Sequence, residues 1–417
     1  MYKRFPVFIE PYLSLLAKPR IVKVTGTNGK GSLCAMLEAC LEYEGLRVGL
    51  FTSPHLSRVA ERFRIAGLEV SDKVLDRHAE EVLRIVTRLV DKYGESYTPS
   101  FFECLVLIAI HLFSEKQVDV AIFEAGVGGY NDAIGLLPGE FSAITSVGMD
   151  HKEQLGDSLE AIAADKAGIA SRNSCLVIGS NISSSLRKII EADVNARGVE
   201  IYPASLEGLQ ATWLGLHHPT RIDMSINGET VRYDLPLLGR YQLENFATLV
   251  ALIGILAQRG VIRDLSCLKG VEQTRWAGRL EIRDGSPCYI IDAAHNEHAI
   301  LALINSLDDL VPYSERVLLY GASGEKDYKA YLPHLSLIAP EIYLVEGFYR
   351  AEKAKVIEEM LVEDFKSLQI FPSARDAIRF FSDSPLHGSK FIIATGSIYM
   401  IGELMNCLDS MQVRAKD

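Results

Sequence analysis

Apolar residues along this chain alternate between short runs typical of buried strands and longer segments with helical periodicity. The run Arg20–Thr25 (RIVKVT) is rich in β-branched residues and predicts a buried strand. Beyond a short glycine-rich stretch, apolar side chains recur at the i, i+3, i+4 spacing of one helix face: Leu33, Met36, Leu37, Cys40 and Leu41. Gly45 then stands where a glycine commonly ends a helix. The opening pattern therefore predicts a strand, a turn and a helix in succession.

The same alternation continues to the end of the chain. Further segments with the composition of buried strands are 47–53, Val118–Phe123, Ser142–Ser146, Cys175–Ile178, Tyr289–Ile291, Arg316–Tyr320, Ile342–Val345 and Phe391–Ala394. Helical patterns lie between them, as in Phe102–Phe113 and Leu159–Ala170. Alternation of this kind is typical of α/β proteins, so we expect doubly wound, mainly parallel sheets.

One segment departs from this alternation. Between Thr212 and Tyr233 the pattern changes to short alternating strands around Asn227-Gly228, a dipeptide that favours a hairpin turn. We interpret this segment as a small antiparallel excursion within the first domain.

The length of the chain predicts two domains. It has 417 residues, more than the roughly 250–300 at which a single hydrophobic core stops growing. The polar segment 274–287, which contains glycines and a proline, is interpreted as a linker. It separates a larger N-terminal domain, 1–273, from a smaller Rossmann-like α/β domain, 288–417.

Composition excludes several classes of partner. Hydrophobic residues make up 48% of the chain and charged residues 23%, an ordinary balance for a folded protein. The net charge of −11 disfavours binding to nucleic acid or to an anionic membrane. No apolar run reaches the roughly 20 residues that span a bilayer, and no secretory signal opens the chain. With seven scattered cysteines and no C-x-x-C pair, we expect reduced thiols in a soluble, cytoplasmic monomer.

The strongest chemical signal is the string TGTNGKGS at Thr25–Ser32, between the first predicted strand and helix. Its glycines let the backbone bend so that several N–H groups point at one anion, and its lysine can neutralise phosphate oxygens. The general G-x-x-x-x-G-K-[ST] motif is not met, since Val24 replaces its first glycine and Gly31 separates Lys30 from Ser32. We assign nucleotide phosphate binding to Gly26, Thr27, Asn28, Gly29, Lys30, Gly31 and Ser32.

The longer string resembles the phosphate loop of the Mur ligase superfamily and, within it, of the folylpolyglutamate synthase and dihydrofolate synthase family. Further family-like motifs follow in order: FTSPHL at Phe51–Leu56, ERFRI at Glu61–Ile65, SFFE at Ser100–Glu103, FEAGVGG at Phe123–Gly129, DKAGI at Asp165–Ile169, LGRYQLEN at Leu238–Asn245, WAGRLE at Trp276–Glu281, DAAHN at Asp292–Asn296 and TGSIYMIGE at Thr395–Glu403. The resemblance implies an ATP- and Mg²⁺-dependent ligase. Such a ligase joins L-glutamate to dihydropteroate or a folate through an acyl phosphate.

The resemblance also implies a set of site residues. Four positions match the family's catalytic residues: Lys30, Glu124, His151 and Lys166. Ser53, together with Glu124 and His151, matches the ligands of two Mg²⁺ ions. Lys166 matches a lysine that the family carries as a carbamate. An unmodified Lys166, paired with a neighbouring carboxylate or a phosphate, stays open because a sequence does not record the modification.

Four more matches concern the nucleotide. Asn245 and Arg279 match residues that contact it in the family, and Asp292 and His295 match residues near its ribose and phosphates. Surface pairing of Arg279 with Glu281 is the plain alternative.

Candidate contacts for the amino acid follow predicted strands of the second domain: Ser323, Lys326 and Ser397. A carboxylate needs cationic partners and hydroxyl or backbone N–H donors, which these positions supply. Loop capping explains the two serines nearly as well.

The departures from the family pattern concern the acceptor. Where the family has Asp-x-Thr-Asn, this chain has Asp132, Ala133, Ile134 and Gly135, which removes a hydroxyl and an amide. Three functions stay open: a dihydrofolate or folylpolyglutamate synthase, a specialised paralogue that ligates an amino acid to a non-folate carboxylate, and a phosphotransferase or ATPase that uses the glycine-rich loop alone. If the acceptor differs, we expect its pocket at Ala133–Gly135.

Overall fold

Parallel strands joined by helices account for most of the chain. The computed structural model describes residues 5–226, 228–361 and 365–414. The chain divides into two units: Met1–Leu209 with Leu243–Thr274, and Gln210–Gln242 with Arg275–Asp417. Each unit has a sheet and a hydrophobic core of its own, as expected for a chain of this length.

The strands of the first unit are β1 (Arg20–Thr25), β2 (Val48–Phe51), β3 (Phe63–Ile65), β4 (Leu68–Glu69), β5 (Val120–Glu124), β6 (Phe141–Ile144), β7 (Cys175–Ile178) and β8 (Glu200–Pro203). Within the described residues they form one sheet in the order β4-β3-β2-β5-β1-β6-β7-β8. All are parallel except β3 and β4, which extend β2 as an antiparallel edge. The central strands are buried along almost their whole length and are mostly apolar, as expected for parallel strands covered on both faces.

The helices of the first unit are α1 (Phe5–Ile9), α2 (Lys30–Tyr43), α3 (Asp72–Tyr93), α4 (Phe101–Glu115), α5 (Lys152–Leu155), α6 (Leu159–Ala167), α7 (Ser184–Asn195) and most of α8 (Tyr241–Gln258). Serine side chains accept a backbone N–H at the starts of α3, α4, α6 and α7. Gly45, with a φ of 90°, follows the end of α2, which confirms the predicted closing glycine.

The strands of the second unit are β9 (Leu209–Trp213), β10 (Thr220–Ile226), β11 (Glu229–Leu235), β12 (Glu281–Arg283), β13 (Cys288–Ile291), β14 (Arg316–Tyr320), β15 (Glu341–Val345), β16 (Ser367–Phe371) and β17 (Phe391–Thr395). Its helices are α9 (Glu297–Leu307), α10 (Ala354–Leu361), α11 (Ala374–Asp383) and α12 (Ile398–Arg414). As far as the described residues go, the larger sheet has the order β12-β13-β17-β14-β15-β16 and is parallel except for β12. The predicted α/β fold class is confirmed.

The hairpin differs from its sequence-based assignment. β10 and β11 pair antiparallel, as expected, but the segment Gln210–Gln242 groups with the second unit. Leu216 and Leu238 pack in the same core as Leu280, and burial of these apolar side chains decides the grouping. Asn227, half of the predicted turn, lies outside the described residues.

Two further features of the structure concern the cysteines and the hydropathy of the helices. Each of the seven cysteines, all within the described residues, is a free thiol. In the described parts of the chain, no helix combines the length and the hydropathy needed to cross a membrane.

Candidate functional site

The carboxyl ends of β2, β5, β1 and β6 meet at one edge of the first sheet. Ser53 comes shortly after β2, Glu124 ends β5, the glycine-rich loop follows β1, and Thr145 and Ser146 follow β6. Open α/β sheets bind ligands at this edge, where the strand order reverses. Parallel pairing thus gathers residues that are far apart in the sequence.

The glycine-rich loop turns sharply into α2. Gly26 has a φ of 152° and Gly29 a φ of 84°, conformations that glycine adopts readily. Lys30, the first residue of the helix, donates from Nζ to the carbonyl oxygens of Gly26 at 3.0 Å and Thr27 at 3.3 Å. A helix N-terminus and an ammonium group therefore belong to the same loop, an arrangement that suits a phosphate.

Polar side chains hold this loop from two sides. The Asn28 N–H donates to Ser146 Oγ at 2.9 Å, and the Thr145 hydroxyl donates to the Asn28 carbonyl oxygen. On the other side, Asn245 lies so close that a Cβ at Gly29 would stand 2.3 Å from its Oδ1. Sequence reasoning missed Thr145 and Ser146 as functional residues, although their position directly after a buried strand was a usable signal.

The first turns of α2 are closed to water. Gly31 and Ser32 are buried. Cys34 lies within electrostatic range of both main charges of the site: burial and the Glu124 carboxylate raise the pKa of its thiol, while the Lys30 ammonium lowers it. Lys30 and Glu124 therefore act on the same small region.

Glu124 and Ser53 form the part of the edge that suits a cation. The Glu124 side chain is 4% exposed, and its Oε2 accepts the Ser53 N–H at 3.1 Å. Ser53 Oγ is buried and has no hydrogen-bond partner among the described residues. Such an orphaned oxygen beside a carboxylate calls for a further partner. Mg²⁺ prefers oxygen ligands and completes its shell with water and phosphate oxygens, so these two residues fit it.

His151 is the third predicted metal ligand. It immediately precedes α5 and has a φ of 51°; its N–H donates to Asp150 Oδ1 at 2.8 Å, and its Nε2 is 3.8 Å from the same oxygen. The described residues contain no group of three or more His, Cys, Asp or Glu side chains that could hold a metal. The structure places Ser53 beside Glu124, and His151 beside Asp150.

Lys166 is a buried lysine in the last turn of α6, with 2% of its surface exposed. Burial and, to a smaller extent, the Lys30 ammonium lower the pKa of its ammonium to about 7, against the opposing effect of Asp165, Asp150 and Asp132. A large fraction of the side chain is therefore a neutral amine near neutral pH, and a neutral amine is a nucleophile.

Two aspartates fix the loop that follows Glu124. Asp132, 3% exposed, accepts backbone N–H groups at 2.8–3.0 Å from Gly126, Val127 and Ile134. Asp165 Oδ1 accepts the Gly129 N–H at 2.7 Å. Burial raises the pKa of Asp132 to about 6, and these N–H donors oppose the shift. Both aspartates thus hold the backbone of this turn.

The segment Ala133–Gly135 does not line an open pocket. Ala133 is 1% exposed and Ile134 0%, and both belong to the hydrophobic core. A Cβ at Gly135 would lie 2.0 Å from the Gly129 carbonyl oxygen, so a side chain has no room there. The expected acceptor pocket at this segment is therefore wrong, because these residues point into the core.

Lys23 is a positioning residue that the sequence analysis did not identify. It lies in β1, is fully buried, and donates from Nζ to the Leu137 carbonyl oxygen and to Ser171 Oγ, both at 2.9 Å. Burial lowers the pKa of its ammonium to about 7. Lys23 thus ties the end of the loop to the segment after α6, and a lysine within an otherwise apolar strand was the available signal.

In the second unit, Asp292 follows β13 and is 4% exposed. Its Oδ2 accepts the Leu280 N–H at 3.0 Å and the Tyr241 hydroxyl at 3.1 Å, and its Oδ1 accepts the Ala294 N–H at 2.9 Å. Burial raises the pKa of this carboxyl, and the Arg279 guanidinium opposes the shift. Asp292 therefore holds the segment around Arg279 at the end of the strand.

The two other predicted nucleotide residues of this unit lie nearby. His295 Nδ1 is 2.7 Å from the carbonyl oxygen two residues earlier. Arg279 donates to the Gly278 carbonyl oxygen at 3.3 Å. Glu281, the alternative partner of Arg279, is engaged by Arg283 at 2.7 Å instead.

The three predicted amino-acid contacts follow neighbouring strands, β14 and β17. Ser397 immediately precedes α12, is 2% exposed, and its Oγ has no hydrogen-bond partner in the part of the chain that the structure describes. Ser323 is 7% exposed and accepts the Lys326 N–H at 3.1 Å through its carbonyl oxygen. An orphaned hydroxyl at the start of a long helix suits a carboxylate.

Two matched motifs have structural roles. Glu61 accepts backbone N–H groups at 2.7–2.9 Å from Leu56, Ser57 and Arg58, which fixes the chain after Ser53. Glu103 accepts the Ser100 N–H at 2.6 Å in a capping box at the start of α4.

Comparison with known proteins agrees with this architecture. Residues 24–253 match the Mur ligase middle domain, and residues 278–398 match the Mur ligase glutamate ligase domain. The fold and the site thus define a chain of the Mur ligase class.

Relatives narrow the class. The chain is 30% identical to the folylpolyglutamate synthase of Lacticaseibacillus casei over 404 residues, which cover 93% of this chain and 90% of that protein. It is 30% identical over 410 residues to a protein of Haloferax volcanii described as a bifunctional folylpolyglutamate synthase/dihydropteroate synthase, covering 95% of this chain and 47% of that protein. The chain spans less than half the length of the archaeal relatives it matches.

A solved structure gives the same assignment. A folylpolyglutamate synthase in complex with AMPPCP and folate matches with a TM-score of 0.83 and 26% identity, over 97% of this chain and 94% of that one. The chain belongs to the folylpolyglutamate synthase/dihydrofolate synthase family.

Proposed function

We propose that this chain is an ATP-dependent ligase that adds L-glutamate to dihydropteroate or to the γ-carboxylate of a folate. The observation that carries the proposal is the edge of the first sheet, where Lys30, the N-terminus of α2, Glu124 and the orphaned Ser53 hydroxyl belong to adjacent strand ends. That set binds a nucleotide phosphate and a cation together. The two units would be the ATP-binding and the amino-acid-binding domain.

The chemistry requires activation of the acceptor, because amide formation in water is uphill. A carboxylate oxygen of the acceptor attacks the γ-phosphorus of ATP and releases ADP, which leaves an acyl phosphate. The amino group of glutamate then attacks the acyl carbon, loses a proton and expels phosphate. Lys30 and the loop N–H groups neutralise and orient the phosphates throughout.

Ser53 and Glu124 would hold Mg²⁺, which when bound neutralises charge on the phosphate oxygens. A second Mg²⁺ at His151 is proposed from the family resemblance alone. The chemistry of the side chain adds no support, because Mg²⁺ prefers oxygen ligands to an imidazole nitrogen. Asn245, Arg279, Asp292 and His295 are proposed to position the nucleotide, Asp292 by holding its neighbours. Ser323, Lys326 and Ser397 are proposed to bind the amino acid's carboxylates.

Lys166 is proposed to carry a carbamate. Its burial and its lowered pKa of about 7 supply the neutral amine that attacks CO₂. The amine nitrogen bonds to the carbon of CO₂ and loses a proton to solvent; Lys30 favours the resulting anion, while Asp165, Asp150 and Asp132 disfavour it. The seven free thiols support a reducing compartment, and we propose the cytoplasm.

Carbamoylation of Lys166 predicts a dependence on both CO₂ and pH. Lys166→Ala is expected to lower ligation by about 100-fold or more, in line with loss of one charged group from such a site. In wild type, activation by bicarbonate should increase from about pH 6 to about pH 8, because the amine loses its proton through the lowered pKa. NMR with isotopically labelled bicarbonate should reveal a carbamate carbon in wild type that is missing from Lys166→Ala.

The matched control is Lys188→Ala, which removes an exposed lysine of α7. It should keep both the activity and the carbamate signal. A fully active wild type in CO₂-free buffer, with no carbamate resonance at any pH, would contradict the modification.

A specialised paralogue with a non-folate acceptor is the second candidate. The departure from the family pattern at Ile134 and Gly135 favours it, because the loss of a hydroxyl and an amide changes the hydrogen-bonding groups of this loop. The ATPase alternative differs from both ligase functions in one respect: its phosphate release needs no amine.

The test is ligation of radiolabelled glutamate with dihydropteroate, with tetrahydrofolate and without acceptor, with phosphate release followed in parallel. Labelled pterin product that depends on ATP supports the first proposal, and the preferred acceptor separates synthase from polyglutamylation activity. Phosphate release that needs an amine but no pterin points to the paralogue. Release that needs neither points to an ATPase.

A further inference from the structure

We propose that the ring of Tyr130 is the surface on which this chain stacks the aromatic part of its carboxylate acceptor. The inference rests on the proposed function, because it concerns the acceptor of the same ligation. It assigns a specificity-determining role to a residue that no matched motif includes.

Tyr130 stands at the border of the catalytic residues. It belongs to the loop that leaves the site at Glu124, and its N–H donates to the Asp165 carbonyl oxygen at 2.7 Å, one residue before Lys166. The charge of Lys30 reaches Lys166 strongly enough to lower the pKa of its ammonium. In the proposal, the carboxylate of the acceptor reaches the phosphate that Lys30 binds, and the rest of the acceptor lies over this loop.

Between Glu124 and Phe141 the exposed side chains are Tyr130 at 71%, Asn131, Leu136 at 37%, Pro138 and Glu140, and Tyr130 is the aromatic one among them. Asn131 is already engaged, since its Nδ2 donates to Asp165 Oδ2 at 2.8 Å. Ala133 and Ile134 face the core. Tyr130 is therefore the exposed aromatic surface that this loop offers to an acceptor.

The backbone that presents this ring is held on both sides. Before it, the Gly129 N–H is bound by Asp165; after it, Asp132 accepts three backbone N–H groups of the loop. Across from it, a Cβ at Gly168 would lie 2.4 Å from Tyr130 Cα, so the backbones are in close contact. Single exposed tyrosines are ordinary, but one on a backbone fixed in this way loses little conformational entropy when a ligand stacks on it.

Offset stacking fixes the chemical class of the acceptor. A planar ring such as a pterin or an aminobenzoyl group gains dispersion and quadrupole contacts with tyrosine, whereas an aliphatic carboxylate gains much less. Positions 134 and 135 of the loop carry no hydroxyl or amide side chain. The loop therefore selects the acceptor by the shape of its ring rather than by a hydrogen-bonding pattern.

The experiment compares Tyr130→Ala, Tyr130→Phe and wild type in steady-state ligation, with the acceptor that wild type uses best. Tyr130→Ala is expected to raise the KM for the acceptor about 5- to 10-fold, the range of a single stacked ring pair. The KM for ATP should stay at its wild-type value. Tyr130→Phe, which keeps the ring, should restore the acceptor KM.

The matched control is Tyr43→Ala, because Tyr43 is 51% exposed and ends the helix that Lys30 begins. It removes a comparable ring about 20 Å from the phosphate loop, given the rise of an α-helix, and should leave both KM values unchanged.

Each outcome decides between the two proposals. The stacking role is overturned if Tyr130→Ala leaves the acceptor KM unchanged, or if Tyr130→Phe is as impaired as Tyr130→Ala. In either case, normal ligation by wild type leaves the proposed function standing. A wild type that ligates no aromatic carboxylate overturns both. A wild type that prefers a non-pterin aromatic acid, with the same KM pattern, overturns the folate assignment and supports the stacking role.

Discussion

Replacing Lys30 by alanine is expected to reduce ligation by about 1000-fold or more, because one cation that neutralises a transferring phosphoryl group contributes on that scale. The Lys30 Nζ donates to the carbonyl oxygens of Gly26 and Thr27 and so stands inside the phosphate loop. Both kcat and the affinity for ATP should fall, since the ammonium acts on the phosphates before and during transfer.

The fold should survive this change. The two hydrogen bonds lost with the ammonium contribute about 1 kcal/mol each at most, a small part of the stability of a domain. Thermal unfolding measures the change in stability. An ATP-binding titration measures the change in affinity for ATP, and the phosphate-release assay measures the change in turnover. Lys73→Ala, which removes an exposed lysine from the first turn of α3, is the control and should behave as wild type. Near-normal turnover in Lys30→Ala with an unchanged melting curve would rule out the assigned phosphate site.

Replacing Glu124 by glutamine is expected to lower ligation by about 100- to 1000-fold, and the loss should be specific to the metal. The substitution keeps a carbonyl oxygen that can accept the Ser53 N–H, now 3.1 Å from Oε2. It removes the negative charge that would hold Mg²⁺ beside the orphaned Ser53 hydroxyl. Shape is therefore preserved while the cation site is weakened.

Titration with Mg²⁺ separates this mechanism from a general loss of structure. Glu124→Gln should need a much higher Mg²⁺ concentration for half-maximal activity, and its melting temperature should match or exceed that of wild type, because a buried charge has been removed. Glu153→Gln, at an exposed position of α5, should change neither quantity. An unaltered Mg²⁺ requirement in Glu124→Gln would refute the assignment of this carboxylate to the metal.

Local signals located most of the elements. Predicted strands at Arg20–Thr25, Cys175–Ile178 and Arg316–Tyr320 have the observed bounds. The predicted helix after the glycine-rich loop is observed as Lys30–Tyr43 and is followed by the predicted Gly45. These features depend on neighbouring residues only: β-branched runs, the i, i+3, i+4 spacing and a glycine at positive φ.

Site residues within one short motif could be found in the same way. The eight residues Thr25–Ser32 combine backbone freedom, a helix N-terminus and a lysine. Thr145 and Ser146, which hold that loop, come from another strand, and nothing local connects them to it. Their role depends on the pairing of β1 with β6.

The sequence by itself therefore determined the strand and helix pattern, the α/β class, the phosphate loop and the family. Only the tertiary structure decided three other matters: that the hairpin groups with the second unit, that Ser53 meets Glu124 with its hydroxyl unpaired, and that Ala133 and Ile134 turn into the core. Secondary structure follows from periodicity along a few residues. Burial and hydrogen-bond satisfaction depend on segments that are distant in sequence, and these become neighbours only once the sheets have formed.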